Sequence, residues 1–416
     1  MPSVSRPFRA ERTAAALAAL LLAAGPASAE GLAPEAYDLF GEIELEGTGF
    51  LQSPQFAGQR RDDVSVAGKA TFLAEWAGGD AVLRITPFAR LDAADDRRTH
   101  VDLREAKLDL YRDDWSFRIG IDTVFWAKTE AVHLVDIVAQ DDRIEDIDNE
   151  TRLGQPMLRV GWLSELGELS LFYLPYFRER PTPGRTGRLR LNPPVADARP
   201  VYDTGAEEWT PSFAARFAGV AGDVDFGLSA FHGLGREPAL FLDPGGALRP
   251  FYERITQVGL DLQYTSDATL WKFEGIHRSG QRNLSFVEES YLAATGGVEH
   301  TLYGVLDTPG DLGLIAEYAW DQRGEDALTP WQNDLFLGAR LALNDVSDTS
   351  ALILGSVDLG DGAVGVRLEF ERRIAPNLSL GLEAQAFLGF DQSAPFDAFA
   401  DDSYLRVRLT RFFGLK

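Results

Sequence analysis

The sequence predicts an all-β fold, a transmembrane antiparallel up-and-down β-barrel of about 18 strands, with 16 as the alternative count. Three observations carry that expectation. From about Ile43 onward apolar and polar residues alternate with period two, over segments of ten residues or more. The connections alternate between short turns and long loops. The chain opens with an export-type leader rather than a core-forming segment. Soluble strands usually stop near five or six residues, so the strand lengths favour a wall that crosses lipid.

The leader comes first. Arg6, Arg9 and Arg12 precede an apolar run from Thr13 to Ala24, and Ala27-Ser28-Ala29 supplies a small-residue cleavage site before Glu30. Twelve apolar residues are too few to span a bilayer, so residues 1–29 read as a cleaved signal. Residues 30–39 read as a short periplasmic lead-in, and 40–416 as one barrel domain. Eighteen candidate strands follow, at 40–52, 65–77, 81–92, 98–111, 115–126, 154–163, 168–178, 209–219, 223–233, 252–265, 268–279, 289–306, 311–322, 333–343, 350–359, 363–374, 378–390 and 402–413. Leu378, Leu380, Leu382, Ala384, Ala386 and Leu388 alternating with Ser379, Gly381, Glu383, Gln385 and Phe387 illustrate the pattern.

Turn chemistry follows the even-numbered strands, as in Gly78-Gly79-Asp80, Arg112-Asp113-Asp114, Ala221-Gly222, Asn344-Asp345 and Ala375-Pro376-Asn377. The connections after odd-numbered strands are mostly longer, reaching about thirty residues between Phe177 and Trp209. Short turns on one rim and long loops on the other are the arrangement of bacterial outer-membrane barrels.

Strand five and the loop after it stand out. In Trp115–Trp126, Phe117, Ile119, Ile121 and Phe125 share one face, and Ser116, Arg118, Gly120 and Asp122 the other. In the following loop, 127–153, the stretch from Asp136 to Glu150 holds seven acids, Asp136, Asp141, Asp142, Glu145, Asp146, Asp148 and Glu150, against one base, Arg143. A loop this long and charged is expected to fold into the lumen and constrict it. Candidate pore-lining residues on the inward faces are Arg84, Arg90, Lys107, Arg118, Asp122 and Arg159 in the earlier strands. Lys272, Glu274, Glu317, Arg340, Arg367, Glu369, Arg406 and Arg408 extend the set over the later wall. A basic wall facing an acidic loop would orient dipolar or charged solutes, although a wet lumen is polar without any special role. The next long connection is arginine-rich, with Arg178, Arg180, Arg185, Arg188, Arg190 and Arg199, and is expected to clamp the acidic loop.

Composition excludes several functions. Acids outnumber bases 64 to 40, for a net charge of −24, so nucleic acid is not an expected partner. Cysteine is absent, which removes disulfides and thiolate chemistry. His100, His133, His232, His277 and His300 are scattered without metal-ligand spacing, and Asp146-Ile-Asp148-Asn-Glu150 lacks the glycine turn of an EF-hand loop. No catalytic residue, metal or cofactor is expected.

The runs Leu103–Tyr111, Trp115–Gly120, Phe125–Lys128 and Val135–Val138 resemble the early strands of porin-like outer-membrane barrels of Gram-negative bacteria. One branch of these barrels reads similarly through Phe177–Pro181, Leu260–Gln263, Leu270–Glu274 and Leu343–Asp345. Eighteen strands are also shared with substrate-selective porins and alginate-export barrels. The resemblance implies a diffusion channel for small solutes in the outer membrane of a Gram-negative bacterium, and brings no catalytic or ligand residues with it. Lys416 stands where such barrels usually end on an aromatic residue, with Phe412-Phe413 close by. Expected partners are outer-membrane lipid and lipopolysaccharide, a small-molecule solute and the barrel-assembly machinery. The alternatives are a dedicated exporter or importer of a polysaccharide or hydrophobic compound, and a barrel enzyme or structural barrel.

Overall fold

Period-two alternation with an apolar face on every strand closes into a single cylinder in the computed structural model, which describes residues 33–148, 150–196, 199–390 and 398–415. Residues 1–29, read above as a cleaved signal, and residues 30–32 of the expected lead-in lie outside the described residues. The wall has eighteen strands: β1 (Ala36–Phe50), β2 (Asp62–Trp76), β3 (Ala81–Asp92), β4 (His100–Arg112), β5 (Trp115–Asp122) and β6 (Gln155–Ser164). It continues through β7 (Gly167–Leu174), β8 (Ser212–Ala221), β9 (Val224–Leu234), β10 (Arg254–Ser266), β11 (Thr269–Arg282) and β12 (Glu288–Leu302). The last six are β13 (Asp311–Asp321), β14 (Asn333–Ala342), β15 (Ser350–Asp358), β16 (Val364–Ala375), β17 (Leu378–Leu388) and β18 (Tyr404–Leu415). Each pairs antiparallel with its neighbour in sequence, and β1 closes on β18 from Leu39↔Leu415 to Phe50↔Tyr404, so no edge is left open.

The outer face is the apolar one. Ile43, Leu45, Phe117, Ile119, Leu228, Leu337 and Leu382 are exposed on it, which is the state of a side chain that faces lipid rather than a protein core. Aromatic residues gather at both rims. Trp115 and Trp162 lie 6.3 Å apart near the short turns, and Tyr173 and Phe213 lie 5.5 Å apart near the long loops. Their amphipathic rings suit the two membrane interfaces.

Strand bounds differ from expectation where the chain turns inward. The wall begins at Ala36, inside the stretch read as a lead-in. The fifth strand was expected to reach Trp126 but ends at Asp122, because Asp136 Oδ1 accepts the Trp126 amide at 2.6 Å and draws this segment off the wall. Two small sheets are separate from the wall: Gln140–Asp141 pairs with Arg152–Leu153 inside the barrel, and Val201–Tyr202, Leu248–Tyr252 and Ala239–Leu242 make a three-stranded sheet among the loops.

Candidate functional site

The loop from Thr123 to Gly154 runs across the interior, and residues from most of the wall hold it there. Its first lobe, 123–139, lies against β6–β14. Trp126, Val135, Ile137 and Val138 pack on inward apolar residues such as Met157, Phe172, Phe231 and Ile276. Val132 meets Phe336 and Ala319. Polar anchors complete the seating. Glu274 on β11 accepts the Lys128 amide at 2.7 Å, the Thr129 amide at 3.0 Å and hydroxyl at 2.7 Å, and the Val135 amide at 3.2 Å. Glu317 on β13 accepts the Glu130 and Ala131 amides at 2.9 and 3.0 Å. Backbone donors that leave a strand need acceptors, and two buried wall carboxylates supply them.

The second lobe, 142–150, crosses to the other side. Glu145 meets Arg90 at 2.9 Å and His100 at 2.7 Å, Asp142 meets Arg104 at 2.7 Å, and Asp146 meets Arg406 at 3.1 Å and Arg408 at 3.4 Å. Asp148 reaches Arg367 at 2.6 Å. The loop returns through Arg152, which pairs with both Asp136 and Asp141, and passes β4 so closely at Gly154 that a Cβ there would fall 2.3 Å from the Arg104 carbonyl oxygen.

These surroundings split the loop acids electrostatically. Burial raises the Glu145 carboxyl, but His100, Arg90 and Arg98 outweigh it and hold Glu145 at about 2. Asp141 and Asp146 are likewise held low, against burial, by Arg180 and Arg152 and by Arg406, Arg367 and Arg408. Burial dominates elsewhere: Asp142 and Asp148 are pushed up, and Asp136 reaches about 7. Glu150 also rises to about 7, through desolvation by the surrounding barrel and the neighbouring charges of Asp148 and Glu369, although its side chain is open to water. Among the described residues Glu150 makes no ion pair.

The residues expected to line the lumen all sit on inward-facing positions, but most are matched locally. Arg84 is 3.8 Å from Glu105; Lys107 is 2.6 Å from both Glu105 and Asp122; Arg118 pairs with Asp109 at 2.6 Å and with Asp122. Arg159 pairs with Glu168, and Lys272 with Glu299 at 2.9 Å. Of the bases on strands three to five, Arg90 touches the acidic loop directly, while Arg84, Lys107 and Arg118 are ion-paired within the wall. Glu274 and Glu317 hold the loop backbone. Arg406 and Arg408 grip Asp146 and Glu383. Arg340 pairs with Glu130 at 2.5 Å, and Arg367 with Glu369; the Arg340 side chain is 43% exposed and Glu369 39%, against 6% for Arg90 and Arg406.

The clamp between neighbouring loops takes a different form from the one expected. Arg180 meets Asp141 at 2.7 Å. Arg178 pairs instead with Asp102 of β4 at 2.7 Å, and Arg188 with Asp402 across the mouth, its guanidinium 4.4 Å from the Phe50 ring centre. Asp95 accepts the Gly184 amide at 2.8 Å. The arginine loop is therefore tied mainly to the rim, where acids from other loops reach it first. Sequence reasoning missed Arg104, Arg152, Asp102 and Asp402; the inward apolar residues Phe172, Leu174 and Ile276, out of place in a wet lumen, were the available signal that something packs inside.

No family model matches this chain, and neither does any curated protein sequence. Among solved structures it is similar to OccAB1 of Acinetobacter baumannii, with a TM-score of 0.56 and 8% identity over 93% of this chain and 99% of that one. It also aligns with a triple mutant of the Rhodopseudomonas blastica porin, at a TM-score of 0.44 and 11% identity over 91% of this chain and 100% of that one. At 8% identity the likeness to OccAB1 is one of fold: an eighteen-stranded, porin-like antiparallel β-barrel.

Proposed function

We propose that this chain is a diffusion channel for small solutes in the outer membrane of a Gram-negative bacterium, narrowed by the acidic loop 127–153. The observation that carries the reading is the seating of that loop: both lobes are fastened to the inner wall rather than standing above the mouth. A loop held there leaves a solute little choice of path. The remaining gap lies beside β14–β16, where Glu130, Asp148 and Glu150 of the loop face Arg340, Arg367 and Glu369 of the wall. In that sector Arg340 and Glu369 are partly open to water and Arg367 is largely buried, whereas Arg90 and Arg406, which hold the second lobe, are buried in ion pairs. Four carboxylates against two guanidiniums favour cations and the positive ends of dipolar solutes.

Planar-bilayer recording with refolded protein tests the proposal. The expected result is a conducting channel whose reversal potential in a salt gradient shifts toward anions when Glu150→Gln and Glu369→Gln are combined, with the shift smaller in 1 M salt, where screening acts within ~3 Å. Absence of conductance in the wild-type protein refutes the channel. An unchanged reversal potential in a conducting double variant removes this sector from the current path.

A further inference from the structure

Where the second lobe of the loop meets β4, three side chains that help to seat it converge with a donor set that seating alone does not require. His100 is the first residue of β4. Asp142 and Glu145 lie on one turn of the loop, closed by the Glu145 amide donating to the Asp142 carbonyl at 3.1 Å, and this spacing turns both carboxylates the same way. A ring nitrogen of His100 and one carboxylate oxygen from each acid all lie within 4.8 Å of one another. Asp142 is 1% exposed, and its Oδ1 accepts no hydrogen bond among the described residues, an unusual state for a buried carboxylate oxygen.

We propose that His100, Asp142 and Glu145 bind one divalent transition-metal ion of the zinc class, which fastens the second lobe of the loop to β4. One imidazole nitrogen with two carboxylate oxygens is a borderline donor set that suits zinc; calcium and magnesium favour oxygen alone. Arg90 and Arg104 stand beside these carboxylates, so the cation must coexist with them. Each arginine has another partner to keep: Arg104 pairs with Asp102 at 3.0 Å, and Arg90 with Glu44 at 3.2 Å and Glu46 at 3.6 Å. Asp92 holds Arg98 at 3.0 Å, while Glu46 is shared with Arg406 and Arg408 and Asp102 with Arg178, so the neighbourhood is close to charge balance and the ion's charge is met by Asp142 and Glu145 themselves. Binding would close the three donors around the ion at ~2.0–2.2 Å and give the free Asp142 oxygen a partner.

The test uses the full chain, refolded and stripped with a chelator, then titrated with zinc chloride in competition with a chromophoric chelator. The expected result is one equivalent of zinc, with affinity reduced more than ~10-fold in each of His100→Ala, Asp142→Asn and Glu145→Gln, since even groups that only orient a ligand are worth ~10–100-fold. His277→Ala, which alters a histidine on the outer face, should bind as the wild type does. Zinc-edge X-ray absorption on the wild-type protein needs no variant and should show one imidazole with oxygen neighbours. Unchanged zinc binding in all three site variants, more than one imidazole in the absorption spectrum, or equal affinity for calcium overturns the proposal.

Discussion

Replacement of Glu274 by Ala should release the first lobe of the lumen loop without opening the barrel. The Glu274 side chain is fully buried and accepts three backbone amides and one hydroxyl from Lys128, Thr129 and Val135, at 2.7 to 3.2 Å. Each hydrogen bond to a charged acceptor contributes ~1.5–3 kcal/mol, but the four are not additive, because removing the carboxylate also removes its own desolvation. A net local loss of ~3–5 kcal/mol is the reasonable magnitude. At ~1.4 kcal/mol per tenfold, hydrogen exchange at the Lys128, Thr129 and Val135 amides should accelerate by at least ~100-fold, while the strand amides of β10–β12 keep their protection. Glu274→Gln should restore protection at Lys128 and Thr129, whose donors share Oε1, but not at Val135, whose amide meets the other oxygen and would face the NH2. Unchanged exchange at all three amides in Glu274→Ala would refute the anchoring; loss of protection throughout the barrel would show that Glu274 holds the wall instead.

Three further outcomes are expected. Leu337, 55% exposed near the middle of β14, should tolerate Leu337→Met, while Leu337→Arg costs ~2–4 kcal/mol in a folding titration; equal effects would place this face away from lipid. Trypsin added to intact cells should cut after the exposed Arg185 in the long-loop rim and spare Arg373 beside the β16–β17 turn; the reverse pattern would invert the orientation. Because Glu150 titrates near 7, it is neutral below that pH and negative above it, so cation preference should rise from pH 6 to pH 8 in wild-type channels and flatten in Glu150→Gln; a rise that survives the substitution assigns the titration to another group.

The cylinder was legible because everything that specifies it is local. Side chains alternate within a strand, and turns such as Asp113-Asp114 and Asn344-Asp345 declare themselves in two residues, so eighteen strands could be placed to within a few positions. The interior was legible only by sign. The seven loop acids were visible, but the effect of an acid depends on which cation reaches it, and those cations lie far along the chain: Glu145 meets Arg90, Asp146 meets Arg406, and Asp148 meets Arg367. Nothing local separates Asp146, surrounded by three arginines and held low, from Glu150 four residues on, which faces Asp148 and Glu369 and is pushed up. The same holds on the wall, where Lys272 and Glu274 are next-door but one in chemistry and opposite in use: one is neutralised by Glu299, and the other caps loop amides 139 to 146 residues away. A long-range match of this kind also separates Arg90, gripped by the loop through Glu145, from Arg84, Lys107 and Arg118, which pair within the wall, although all four read alike in the sequence.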